Sequence, residues 1–270
     1  MTSYLGPAGS LIEFKCPSAE EITRADNVSL DWTLGGVQKA QYGARAPRSW
    51  RLSLATATPE QLSGLAGLAA GLYGPPPWVY VGSWAQVTNL LTPPASVCAP
   101  GSWSGAGIAG GPVDLAGAPR PVLSVLNANG GAIILPAVPV VAGVPVTGSV
   151  WAVGVTGFST ELIFRDAAGV WISALSTTHP APAGGALLRR SITRTPPSNA
   201  AYAELRVLDA LRAAQPAITW TPDLASWSVG GGAPKVIARG LSQSVQLAVR
   251  DEPYMRRASA SFNLEEVGNA

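Results

Sequence analysis

The chain has 270 residues, of which 47% are apolar and only 13% are charged, and its formal net charge is +2. This composition supports a sizeable buried core, with about half the charged share that soluble proteins usually carry. The basic residues are dispersed and form nothing longer than the doublets Arg189-Arg190 and Arg256-Arg257. A nucleic-acid partner is therefore not expected, because such proteins concentrate positive charge on one face.

The first segment predicts β-strands with polar and apolar residues in alternation. "VSLDWTL" places Val28, Leu30, Trp32 and Leu34 on one face, and Gly35-Gly36 then turns the chain. "SWRLSLA" repeats the pattern with Trp50, Leu52 and Leu54. This period of two is typical of half-buried strands.

One stretch predicts a helix. In "TPEQLSGLAGLAAGLYG", Thr58 is placed to cap the N-terminus, Pro59 to occupy the first helical position and Gln61 to complete a capping box. We expect Gly74 to end this helix. The predicted apolar face comprises Leu62, Leu65, Leu68 or Ala69, and Leu72.

Three consecutive prolines, Pro75 to Pro77, follow this helix and precede "WVYV". Prolines in a row favour a stiff, extended connection. We expect this connection to direct the "WVYV" strand back to the sheet formed by the earlier strands.

After Leu91 the sequence becomes rich in Gly, Pro, Ser and Ala and is interpreted as a linker. Short strand patterns with turns between them follow, which predicts a two-sheet β-sandwich. Asp166 and Gly169 are expected at a hairpin turn. The strand patterns are "RPVLSVL", "AIIL", "VPVTGSVWAVGV", "STELIFRDAAGVWISAL", "LLRRSITRT", "AAYAELRVL" and "PAITWT".

The last forty residues return to alternating strands, with Ala258, Ala260, Phe262 and Leu264 on one face. So short a segment cannot hold a core alone, so we expect it to pair with the first segment. The fold class predicted is mainly β. A split β-rich domain with one helix is formed by residues 1–92 and 229–270, and an inserted β-sandwich by residues 93–228.

No pattern predicts a cofactor or a metal site. Cys16 and Cys98 lack metal-ligand spacing, and buried free thiols are favoured over the single disulfide they could form. His179, the one histidine, lies in a Pro/Gly-rich stretch and is expected in a solvated loop. "GAGIAG" matches GxGxxG formally, but no strand and helix flank it, which favours a flexible linker over a dinucleotide site.

Targeting and membrane signals are not expected either. The start "MTSYLGPAGS" has no basic region followed by an apolar one, as a signal peptide would. The most apolar stretch, Ala132 to Val146, is too short to span a bilayer and contains three prolines.

Carboxylates and tryptophans are the remaining candidates for chemistry. A glycosidase would need two facing carboxylates, but solvated turns and strand edges explain the insert's Glu161, Asp166, Glu204 and Asp209 better. No enzyme is therefore expected. Flat indole faces stack on sugar rings, which makes Trp103, Trp151 and Trp171 candidate glycan contacts. Packing in the core or at an interface is the favoured alternative for each.

Several stretches together resemble minor tail or distal tail proteins of long-tailed, siphovirus-type bacteriophages of actinobacteria. "SWRLSLATATPEQLSGLAGLAAGLYGPPPWVYVGSWAQVTNLLTP" is similar to the family's strand–helix–strand segment, and "WSVGGGAPKVIARG" with "SFNLEEVG" to its closing strands. "VPVVAGVPVTGSVWAVG", "LIFRDAAGVWIS" and "TRTPPSNAAYAELRV" resemble a jelly roll of the carbohydrate-binding-module, galactose-binding-like type. The order of the segments is more specific than any single motif.

This resemblance implies a structural virion protein at the distal end of the tail, made in the host cytoplasm. It implies as partners other copies of the chain in a symmetric ring and neighbouring tail proteins. The insert would project outwards, where it either contacts host cell-wall glycan or only stabilises the particle. Low charge and abundant apolar residues suit burial in such subunit interfaces. The alternatives are a glycan-binding module outside a virion and a glycan hydrolase.

Overall fold

The computed structural model describes residues 2–15, 17–24, 28–32, 38–42, 47–116, 118, 120–127, 131–247 and 257–267. The helices are α1 (Pro59–Ala69), α2 (Ser83–Thr88) and α3 (Pro93–Ser96), with a 3₁₀ turn at Ala183–Gly185. The strands are β1 (Thr2–Gly6), β2 (Ile12–Lys15), β3 (Ala19–Arg24), β4 (Val28–Trp32), β5 (Gln38–Tyr42), β6 (Arg48–Ala57), β7 (Trp78–Val81), β8 (Ser104–Gly105), β9 (Ile108–Val113), β10 (Val122–Leu126), β11 (Ala132–Ile134), β12 (Val138–Pro139), β13 (Val146–Val153), β14 (Gly157–Arg165), β15 (Trp171–Pro180), β16 (Leu188–Arg194), β17 (Tyr202–Leu208), β18 (Arg212–Thr219), β19 (Lys235–Leu247) and β20 (Arg257–Glu266). The predicted mainly β fold class is confirmed.

The chain forms two compact units. The sheet unit comprises Met1–Gly6, Ile12–Tyr80 and Pro234–Ala270, and the sandwich unit comprises Pro7–Leu11 and Val81–Ala233. The predicted domain division at residues 92/93 and 228/229 stays a prediction.

The sheet unit is built on one seven-stranded sheet, in the order β2-β1-β7-β19-β20-β6-β3. The closing strand β20 pairs antiparallel with β6, with Phe262 opposite Leu52 and Leu264 opposite Trp50. All four of these side chains are at most 4% exposed. The alternation read in both segments is confirmed, since each sends its apolar residues into the same core.

The strand predicted in "VSLDWTL" is confirmed over Val28–Trp32, which pairs with β5 in a separate two-stranded ladder. Leu34, Gly35 and Gly36 lie outside the described residues. The predicted turn is therefore not tested.

Helix α1 begins as predicted and ends earlier. The Thr58 hydroxyl accepts from the Gln61 backbone N–H while the Gln61 side chain accepts from the Thr58 N–H, so the capping box is confirmed. The prediction that Gly74 ends the helix is wrong. Gly71 takes a positive φ of 73°, and the Leu72 N–H donates to the Gly67 carbonyl, the bond of a Schellman motif. Leu72 consequently lies beyond the helix and is 78% exposed, not on the apolar face.

The strand expected after the three prolines is confirmed as β7, between β1 and β19. Its Tyr80 is 1% exposed, and the Tyr80 hydroxyl donates to Glu20 Oε1 over 2.8 Å. The two short helices that follow, α2 and α3, were not predicted. Thr92 caps α3 by accepting from the Ala95 N–H, with Pro93 at the first helical position.

The sandwich unit packs two antiparallel sheets face to face. One has the order β16-β13-β18-β10-β9 and the other β15-β14-β17-β11-β8, with β12 also paired to β17. Successive strands cross repeatedly between the sheets, as in a jelly roll. Between the sheets lies a core that includes Val150, Phe158 and Val207. The predicted strands and the Asp166–Gly169 hairpin turn are confirmed.

The linker predicted after Leu91 is wrong. The segment forms α3 and the edge strands β8 and β9, and its glycines allow close approach of neighbouring chain segments. A Cβ on Gly105 would lie 2.2 Å from the Ala132 carbonyl oxygen, and one on Gly107 would lie 2.6 Å from Val125. Edge strands with so few side chains carry no alternating pattern, which is why the sequence did not predict them.

The two ends of the sandwich unit are held together by Asn89. Its side-chain N–H₂ donates to the Pro216 and Ser228 carbonyls, each over 3.1 Å. Its Oδ1 accepts from the Leu91 N–H over 3.1 Å and the Ile218 N–H over 3.2 Å. Asn89 is fully buried, so every polar atom of its amide is bonded within the protein.

Gly230 completes this closure. A Cβ there would lie 1.9 Å from the Leu91 carbonyl oxygen, so only glycine permits the approach. The Gly230 N–H also donates to Ser96 Oγ over 2.8 Å. The beginning and end of the sandwich unit therefore lie side by side.

Candidate saccharide-binding groove

The three tryptophans predicted as candidate glycan contacts lie at different places in the sandwich unit. Trp151 is on β13, Trp171 begins β15 and Trp103 precedes β8. Trp151 lines a groove that also holds a second indole ring, that of Trp227.

The groove lies on the outer face of the five-stranded sheet. Val150 and Ala152 of β13 point into the sandwich core, so the alternation directs Trp151 to the opposite face. There Trp151 packs beside Val113, Leu115 and Ala214. The groove measures about 480 Å³, and its polar lining includes Arg120, Arg189, Gln215 and Ser226.

A β-bulge in β18 shapes the floor of this groove. Ser149 pairs with Ala217 and Trp151 with Ala214, so β18 contains one extra residue between these pairs. Gln215 lies at this bulge and has a φ of 47°, in the left-handed region that non-glycine residues rarely occupy. Bulges re-aim side chains near functional sites, and here Gln215 lines the groove.

The bulge also fixes the second indole. The Pro216 carbonyl accepts from Trp227 Nε1 over 3.3 Å, and the same oxygen accepts from the buried Asn89. The Trp227 ring is thus hydrogen-bonded to the same carbonyl as Asn89, the residue that joins the two ends of the sandwich unit. Trp227 was not predicted as a glycan contact because it belongs to no strand pattern. The usable signal was an aromatic residue in an irregular segment, where no sheet packing requires one.

Arg189 lies directly beside Trp151. The two residues are paired across β16 and β13, and Arg189 Nη2 donates to Ser149 Oγ over 3.2 Å. Burial lowers the pKa of the Arg189 guanidinium. A cationic residue and an indole-bearing residue therefore adjoin on one side of the groove.

Trp103 is occupied largely in packing. It lies against the sandwich core, and its indole Nε1 donates to the Gly107 carbonyl over 3.0 Å. It also lines a second cavity of about 440 Å³, together with Glu204.

Trp171 is 58% exposed at the start of β15, opposite Arg165. Arg165 Nε lies 3.4 Å from Glu204 Oε2, and Arg206 bonds the other oxygen of the same carboxylate. Trp171 lines neither of the two cavities described above. It stays a candidate glycan contact.

Two of the four carboxylates considered for hydrolysis, those of Asp166 and Glu204, have bonding partners within the protein. Asp166 Oδ1 accepts from the Ala168 and Val170 N–H groups in the hairpin turn, and Glu204 is ion-paired with two arginines. Glu161 lies on β14, and Asp209 follows β17 with a φ of 58°.

His179 corrects the prediction of a solvated loop. It lies on β15 opposite Phe158 and is 8% exposed. Its Nε2 is 2.9 Å from Thr160 Oγ1. Burial, followed by the positive charge of Arg190, lowers the pKa of its imidazole.

Cys98 is a buried free thiol, as predicted, and burial raises its pKa to about 12. Cys16 lies outside the described residues. Within the described ranges, no three side chains of the His, Cys, Asp or Glu type are grouped to hold a metal ion. Of the helices in that part of the chain, none has the length and apolar character needed to cross a membrane.

No protein-family model matches the chain, and no curated protein matches it. Among solved structures, it is similar to the enzymatically active domain of tailspike protein 4 of bacteriophage CBA120, with 12% identity and a TM-score of 0.37 over 52% of this chain. The match spans only 22% of that tailspike chain. It is also similar to carbohydrate-binding modules of the β-sandwich superfamily (13% identity, TM-score 0.34, 75% of this chain and 92% of that one) and to a CBM4 module (12%, 0.27, 42% and 72%).

Proposed function

We propose that this protein is a structural subunit at the distal end of a long-tailed bacteriophage tail, and that its sandwich unit contacts host cell-surface glycan. The observation that carries the glycan role is the groove in which Trp151 and Trp227 adjoin Arg189 and Gln215. A sugar ring offers an apolar C–H face to an indole and hydroxyls to nearby polar groups. The groove provides both kinds of contact on one surface.

The groove is suited to a ligand in size and rigidity. Its volume of about 480 Å³ lies within the roughly 300–1,000 Å³ of typical ligand sites. Trp151 is on a central strand, and the indole of Trp227 is hydrogen-bonded to the bulge. Groups held in place before binding lose less conformational entropy when the ligand binds.

Placement in the tail is supported by the resemblance of the ordered sequence segments to tail proteins. It is also supported by the sheet unit, in which β6 and β7 from the first part of the chain pair with β20 and β19 from its end. In the proposal this unit assembles with copies of itself in a symmetric ring and with neighbouring tail proteins. The sandwich unit is then the part available to the cell surface.

The second candidate is a glycan-binding module that is not part of a virion, and the same groove favours it. Mass spectrometry and immunogold labelling of purified particles decide between the two. Label at the distal tail supports the structural role, and absence from the particle leaves the free glycan-binding protein.

An enzymatic role is not proposed. The Asp166 carboxylate is used in a turn and that of Glu204 in two ion pairs, so neither is placed as a free acid or base.

The glycan role is tested by binding of the full chain to an array of bacterial polysaccharides and oligosaccharides. Trp151→Ala is expected to lose binding by more than about tenfold, the effect of removing one stacking aromatic face and its packing. Trp171→Ala is the matched control, because it removes an exposed indole of the same unit outside the groove. Equal loss in both variants, or no binding by the wild type, contradicts the proposed groove.

A further inference from the structure

We infer that the saccharide bound in this groove is anionic and carries a carboxylate or phosphate group that pairs with Arg189. The inference rests on the proposed glycan role and specifies the ligand class of the same groove.

The charge of the groove is one-sided. Arg120 and Arg189 both line it, and no acidic side chain stands among the lining residues that the structure describes. A binding surface with cations and no counter-charge favours negatively charged ligands over neutral ones.

Three other arginines have a carboxylate partner, which Arg189 does not have among the described residues. Arg165 and Arg206 share Glu204, and Arg48 is paired with Glu266 at 2.9 Å. Arg189 has a neutral hydroxyl, Ser149 Oγ, as the acceptor for Nη2. Its Nε is buried and has no acceptor within the described part of the chain.

A partly buried guanidinium without a carboxylate retains both an unused donor and an unpaired charge. A sugar hydroxyl could accept the hydrogen bond but would leave the charge unpaired. A carboxylate or phosphate accepts the hydrogen bond and also pairs with the positive charge, and guanidinium groups bind these anions in a fork geometry.

The register places the anion beside the sugar ring. Because Trp151 and Arg189 are cross-strand neighbours, a ring stacked on the indole has its substituents within reach of the guanidinium. Gln215 lines the same groove and offers a neutral amide for the hydroxyls. The ligand class is thus an acidic sugar, such as a uronic acid residue or a sugar phosphate.

The test compares acidic oligosaccharides with their own neutral derivatives. The full chain is titrated by calorimetry with galacturonate, glucuronate and mannuronate oligosaccharides, with the methyl esters of each, with sugar phosphates and with the parent neutral sugars. At least one acid is expected to bind at least about tenfold more tightly than its neutral form, as for one charge-assisted hydrogen-bonded pair. Tighter binding of uronates than of sugar phosphates, or the reverse, identifies whether the anionic group is a carboxylate or a phosphate.

Arg189→Gln is expected to abolish this preference while the variant keeps the wild-type melting temperature or exceeds it. Arg51→Gln, an exposed arginine of β6 in the sheet unit, is the control with the same loss of charge. Binding of neutral sugars as tightly as acidic ones overturns the inference and leaves the glycan role intact. Binding of no saccharide in the panel overturns both.

Discussion

Replacing Asn89 by alanine tests whether the sandwich unit is closed as the structure shows. The change removes the partner of the Ser228 carbonyl and of the Leu91 and Ile218 N–H groups, whereas the Pro216 carbonyl keeps its bond from Trp227 Nε1. Each buried group left unsatisfied costs about 1–3 kcal/mol, so even the lower value gives a loss of about 3 kcal/mol. Such a loss corresponds to a roughly 10²-fold change in the opening equilibrium.

Hydrogen exchange measured by mass spectrometry on the full chain localises this effect. We expect much faster exchange in peptides covering residues 87–97 and 213–231, with the sheet unit unchanged. Asn199→Ala, the same truncation at an exposed turn position, is the control and should change stability by no more than about 0.5 kcal/mol.

An opening free energy of Asn89→Ala within about 1 kcal/mol of the wild-type value in these peptides would refute this role of Asn89. If the alanine variant does not fold, Asn89→Asp provides the second test. An aspartate there is fully buried with one oxygen towards two carbonyl oxygens, and we expect these effects to outweigh the two N–H donors to its other oxygen and to raise its pKa. That variant should therefore gain stability, relative to the wild type, as the pH is lowered.

Three further predictions follow from single contacts. Gly230→Ala should destabilise the sandwich unit by more than about 2 kcal/mol in urea denaturation, because its Cβ would overlap the Leu91 carbonyl. Gly111→Ala is the control and should cost less than half as much, because nothing lies within 4 Å of its Cβ. Burial lowers the pKa of His179 below its unfolded value, so the unfolded state binds more protons and stability should fall as the pH drops below about 6.5. His179→Gln should flatten this pH dependence of the melting temperature between pH 7 and 5, and an unchanged slope contradicts the assignment. Thr58→Ala should cost the sheet unit about 1 kcal/mol through loss of the helix cap, and Thr58→Ser should restore most of it.

Sequence patterns predicted the parts of this fold that depend on local periodicity. Alternation at Trp50, Leu52 and Leu54 and at Phe262 and Leu264 identified two strands that share one core, because burial of one sheet face imposes that period. The capping box at Thr58 was also predictable, since it is formed within four residues.

Features set by contacts between distant residues were not predictable. His179 was expected in a loop because prolines and glycines surround it, but pairing with β14 places it against Phe158 and Thr160. The edge strands β8 and β9 are glycine-rich because neighbouring segments approach them closely. From composition alone, such a glycine-rich segment is interpreted as a linker.

The groove was predictable only in part. Trp151 was a candidate because of its residue type, but nothing local indicates that Trp227, 76 residues later, lies in the same groove. The bulge at Gln215 depends on the register of β18 against β13, a long-range pairing. That Arg189 Nε has no acceptor among the described residues is likewise visible only once its neighbours are placed.

A crystal structure of the full chain with a saccharide selected from the array tests the central claim most directly. We expect a sugar ring stacked on Trp151, in contact with Trp227, with its polar groups towards Arg189 and Gln215. A saccharide bound instead beside Trp103 and Glu204, or at Trp171, would contradict it.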